Sequence, residues 1–231
     1  MWINCWQGMI MELEWRLDHL TRTVARDFPL PLRRRTPAPQ YGGHTFRTSS
    51  WMHRILDSDA FLGEIITCSP SEIIRHFQAE QDLAGLALVV SWGGMARASR
   101  YIYDRYSLPV IHEAIVECRR SISNTKNIKH AWHVLTEDLN WSEVISSKTL
   151  HFVCRSLSYT TNAPAAIDNA VILRKVWPGF KEQVPQNIRL KSWSGKPFQN
   201  YNRYMTAILE WASAPGWTTT EVETTLFAEY A

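Results

Sequence analysis

Lys148 and Asp168 have side chains that can do covalent chemistry, and each stands at the start of an apolar-patterned segment. A lysine amine attacks an electrophilic carbon only as the free base. A nucleophilic lysine therefore needs a depressed pKa, which burial and the positive end of a helix dipole both promote. A carboxylate held beside a carbon that develops positive charge stabilises it by ~4 kcal/mol at about 4 Å and an effective dielectric of about 20. That is on the order of several hundredfold in rate when the carboxylate is preorganised. A lysine in a first helical turn is more commonly a solvent-facing charge, and an aspartate ahead of a helix more commonly a cap. The pair therefore takes its meaning from the elements around it.

In the segment from Ser147 to Leu157, the apolar residues Leu150, Val153, Cys154 and Leu157 fall at i, i+3, i+4 and i+7. This is the stripe of a helix packed on a core, with Lys148 near its start. Thr160 to Pro164 reads as a loop, because Asn and Pro break the period. Asp168 then takes an N-cap position ahead of Ala170-Val171-Ile172-Leu173 and the Val176-Trp177 pair. The two residues are 20 positions apart, each at the N-terminal end of its own helix. A simple antiparallel pair would hold those ends apart, whereas a long turn that recrosses the first helix brings them together.

The run SSKTLHF followed by APAAIDNAVILRKVWPGF resembles the helix-hairpin-helix DNA glycosylases, over about 40 residues. Within them it looks most like compact bacterial proteins with an 8-oxoguanine-glycosylase fold, some of which occur beside anti-phage defence genes. The resemblance implies an all-α fold of two helical lobes with the active site between them. It implies that Lys148 opens the second helix of the hairpin as amine nucleophile and that Asp168 is the essential carboxylate. The reaction implied is excision of an oxidised or modified guanine from DNA through a lysine Schiff base, with strand cleavage and no metal or organic cofactor. Ser146, Ser147 and Asn169, beside the two catalytic candidates, are candidate DNA contacts. The glycine-rich hairpin turn usual in that superfamily is missing, and Asn140 to Ser147 stand in its place. That departure and the modest charge support an alternative: a defence module that keeps the fold and binds a modified guanine, nucleic acid or a partner protein. A third reading is an α-helical interaction protein.

A net charge of +3 and a pI near 8.7 permit nucleic-acid binding without demanding it. The four cysteines, Cys5, Cys68, Cys118 and Cys154, are far apart with no C-x-x-C pair, which argues against a zinc site or an iron–sulfur cluster. No apolar run approaches a membrane span, no cleavable signal pattern opens the chain, and a reduced cytoplasm is the natural expectation.

Met1 to about Arg26 has a helical rhythm of Ile10, Leu13, Leu17, Leu20 and Val24. Its apolar tip is either a partner surface or an extension upstream of a start at Met9 or Met11. Phe28 to Gly43 is a Pro-rich linker with Arg33-Arg34-Arg35. The expected division is residues 1–45 as N-terminal helix and linker, and 46–231 as the helical domain. Residues 51–106 read as several short helices. One starts at Ser69-Pro70-Ser71-Glu72, and Leu83 to Val90 forms another that is buried. Trp92 and Gly93 follow as base-pocket candidates, a stacking ring and a point of close backbone approach. Arg97 and Arg100, interleaved with tyrosines, are candidate DNA contacts. Helices are expected over Pro109 to Ile122 and Thr125 to Leu135, separated by Ser121 to Thr125. Another is expected over Phe198 to Ala212, carrying the base-pocket candidate Tyr204, and a last one opens at Thr218-Thr219-Thr220-Glu221.

Overall fold

Ser69 starts the first described helix in the expected way. Its hydroxyl accepts the Glu72 N–H, and the Glu72 carboxylate accepts the Ser69 N–H at 2.7 Å, with Pro70 at the first position. The computed structural model describes residues 44–47, 65–93, 105–159, 162–176, 198–213 and 215–230, and single positions at 23, 36, 37, 102 and 178. The expected N-terminal helix, most of the linker, and Arg97 and Arg100 lie outside the described residues.

The chain is mostly helical, with 76% of the described residues in helix. The elements in order are β1 (His44–Arg47), β2 (Ile65–Cys68), α1 (Pro70–Gln78), α2 (Asp82–Trp92) and α3 (Leu108–Thr125). There follow α4 (Ile128–His133), which widens into a π-helical turn over Val134–Asp138, and α5 (Glu143–Ser156). A π-helical α6 (Asn169–Val176), α7 (Phe198–Ser213) and α8 (Thr219–Tyr230) complete the order. Among the described residues the one departure from an all-helical reading is small: β1 pairs antiparallel with β2, with His44 opposite Cys68 and Arg47 opposite Ile65. At four residues each, these strands are too short for their periodicity to stand out in the sequence.

α2 is apolar all round and buried from Asp82 to Ser91, as a helix enclosed by others must be. α1 and α5 pack on it, and Gly85 lets the Phe77 ring of α1 lie close, so that a Cβ at Gly85 would stand 3.1 Å from three ring carbons. α3 runs to Thr125, past the expected break at Ser121. Ser121 and Thr125 point their hydroxyls at backbone carbonyls (Asn127 O and Ser121 O), so the polar run stays helical. The break falls instead at Lys126, in the left-handed region at φ 53°. Trp132 of α4 stacks on Tyr201 of α7 with centroids 4.3 Å apart and is buried with Ile128 and Leu135.

Candidate active site

α5 is buried from Ile145 to Cys154, with Lys148 only 5% exposed. Before α5 the chain turns through Leu139 to Ser142. Asn140 adopts φ 48°, the left-handed conformation that a glycine would otherwise supply. Asparagine is one of the few residues other than glycine that tolerate it.

After α5 the chain returns across it as an irregular segment, 162–168, whose residues Ala163 to Ile167 are buried. Buried backbone without regular structure must find other partners, and side chains from three helices provide them. From α5, His151 Nδ1 donates to Pro164 O at 2.8 Å, and Ser147 Oγ accepts the Ile167 N–H at 2.9 Å. From α7, Tyr201 OH donates to Ala165 O at 3.0 Å, and Met205 Sδ accepts the Ala165 N–H at 3.1 Å. From α8, Thr219 Oγ1 donates to Ala163 O at 2.7 Å.

This anchored segment delivers Asp168. One carboxylate oxygen, Oδ1, accepts the Val171 N–H at 2.8 Å and caps α6 as the sequence predicts. The other, Oδ2, lies 3.8 Å from Lys148 Nζ. The recrossing turn therefore brings the two candidates together. Trp92, the last residue of α2, lies with its ring centroid 5.6 Å from the same amine, and its ring meets Phe152 edge-on at 5.2 Å. Burial is the largest influence on Lys148 and pushes its pKa down, against the upward pull of the Asp168 and Glu223 charges.

The other expected site residues fall as follows. Ser146 and Ser147, expected at a DNA surface, have no exposure. The Ser147 hydroxyl also donates to Val144 O at 3.0 Å, so both serines belong to the interior rather than to a phosphate contact. Asn169 opens α6 directly behind Asp168. Gly93 caps α2 at φ −74°, a conformation open to any residue, so no glycine-specific turn is formed there. Tyr204 is buried on α7, and burial and the Glu223 charge hold it in its phenol form.

His151, Thr219 and Glu223 were not singled out from the sequence. Their signal was an unusual polar content on helix faces that turn inward: α8 buries Thr219, Thr220, Glu223, Thr224 and Thr225 beside Val222 and Leu226. His151 is held neutral, its pKa lowered to about 3 by burial and the Arg155 charge, despite its bond to Pro164 O. Cys154, Cys118 and Cys68 are buried thiols that burial pushes above the usual range. Among the described residues no helix is long and apolar enough to cross a membrane. No protein-family model, no curated protein and no solved structure matches this chain.

Proposed function

We propose that this chain is a DNA glycosylase with AP-lyase activity that removes an oxidised or modified guanine. The observation that supports the reading is the approach of a buried lysine amine to a capping aspartate, 3.8 Å apart across 20 positions of sequence. In this reaction Lys148, as the free amine, attacks the sugar C1′, and the glycosidic electron pair leaves with the base. Loss of the amine proton and opening of the sugar ring yield a Schiff base, from which elimination cleaves the strand. Asp168 Oδ2 faces the same point and stabilises the positive charge that the sugar carries in the transition state. Because Oδ1 is fixed by the Val171 N–H, the carboxylate is oriented before substrate arrives. Trp92, beside the amine, offers a ring face to an extruded base.

Borohydride trapping tests the proposal. Duplexes carrying 8-oxoguanine or an abasic site should give a covalent protein–DNA band with the native chain and none with Lys148→Gln. Asp168→Asn should retain DNA binding while losing base excision. Native protein that is folded yet gives no adduct on either duplex would leave the alternative, a binding module for a modified guanine, nucleic acid or defence protein.

A further inference from the structure

The bonds that hold residues 162–168 act at different distances from the carboxylate they deliver. Those from His151, Tyr201, Met205 and Thr219 fall on Ala163, Pro164 and Ala165, in the part of the segment away from Asp168. The bond from Ser147 falls on the Ile167 N–H, at 2.9 Å, one residue before Asp168. Ser147 is likewise the residue before Lys148. The bond therefore closes a small ring. Lys148 follows Ser147 in α5, Asp168 follows Ile167 in the segment, and amine and carboxylate face each other at 3.8 Å on the open side.

The hydroxyl at the base of this ring is itself fixed, because it donates to Val144 O at 3.0 Å, one turn back in α5. Neither Ser147 nor Ile167 has any exposure. Without the hydroxyl a buried N–H would lose its partner, a cost that the chain relieves by moving away from α5. His151 stands one turn further along the same face of α5 and makes the second tie from that helix, to Pro164 O. The bond from the Val171 N–H to Asp168 Oδ1 orients the carboxylate within its own element, α6, and leaves its distance from α5 to be set elsewhere.

We propose that Ser147 is a positioning residue of the Lys148 site, whose hydroxyl sets the distance of the Asp168 carboxylate from the amine. Its consequence for catalysis rests on Lys148 and Asp168 being the reacting pair of the function proposed above. A serine that only fills the interior would change stability and leave the coupling between amine and carboxylate as it is.

The test is a double-mutant cycle read by NMR titration of the full chain labelled with 13Cε-lysine, the Lys148 signal being identified by its loss in Lys148→Gln. Ser147 carries no charge, so it reaches the titration of the amine through the carboxylate or through burial. Asp168→Asn separates the two routes. Ser147→Ala should raise the acid dissociation constant of the amine about threefold more with Asp168 present than in Asp168→Asn, where no carboxylate remains to be withdrawn. The Glu223 charge, which also acts on the amine, is the same in every chain compared. Equal changes in the two backgrounds overturn the proposal. If Ser147→Ala does not fold, Ser147→Cys takes its place, since a thiol is a weaker acceptor of similar shape. A smaller difference of the same sign is then expected, and none overturns the proposal. Borohydride trapping on an abasic duplex separates the two ideas. A difference between the backgrounds without Lys148-dependent trapping sinks the glycosylase reading and leaves the role of Ser147 standing. Trapping by the native chain with equal titration changes in both backgrounds does the reverse.

Discussion

At the scale of residues, the site depends on protonation states set by burial. Because the Lys148 pKa is pushed down, the limb over which trapping rises with pH should have its midpoint below the usual lysine value of 10.5. Asp168→Asn, which removes an opposing charge, should move that limb lower still while slowing base release. Trapping rates on an abasic duplex, measured against pH, check the limb, and the rate of base excision from an 8-oxoguanine duplex checks the release step. His151 gives a stability prediction of definite sign. Its folded-state pKa is about 3 against 6.5 when unfolded, so below 6.5 the unfolded chain binds a proton that the native chain refuses. The contribution is complete above pH 6.5 and is lost as pH falls toward 3, at about 1.4 kcal/mol per pH unit. Urea unfolding at pH 7, 6 and 5 should show this slope, and His151→Asn should flatten it. His151→Leu should also loosen the segment carrying Asp168, since the Pro164 carbonyl then loses its donor.

At the scale of elements, the decisive feature is that segment, residues 162–168, because its shape comes from other elements. Its composition, NAPAAID, predicts only a loop, and the bonds that define it come from α5, α7 and α8. Helix starts were more legible. The reciprocal bonds at Ser69 with Glu72 and at Thr218 with Glu221 both form, since a capping box is completed within four residues of chain. The close approach of α1 to α2 could not be read in this way. Gly85→Ala should gain up to about 1 kcal/mol of helix propensity. It also sets a methyl 3.1 Å from the face of Phe77, which is 1% exposed and closely surrounded. The contact should win, giving a net loss of about 1–2 kcal/mol by urea denaturation. Phe77→Leu in the same chain should return part of it.

At the scale of the whole molecule, one buried charge pair links the first two helices to the third. Asp82, 1% exposed at the start of α2, is paired with the Arg119 guanidinium of α3. That guanidinium also donates to Phe77 O at 3.1 Å at the end of α1. Arg119→Ala should cost up to about 3–5 kcal/mol, because it takes the guanidinium from a buried carboxylate that His112 Nδ1 approaches only to 3.7 Å. Thermal or urea unfolding should show this, and Asp82→Asn in the same chain should recover part of it. What the sequence by itself determined were the features carried by neighbours in the chain: the helices of α1, α2, α5, α7 and α8, the N-caps of α1, α6 and α8, and the choice of Lys148 and Asp168 as candidates. These depend on interactions between residues a few positions apart, which a single sequence displays. The tertiary structure alone decided that those two residues lie 3.8 Å apart and that Ser146 and Ser147 face inward. Each of these follows from side chains of distant helices satisfying a buried backbone and buried charges. Such pairing is chosen by packing in space and leaves no local period to read.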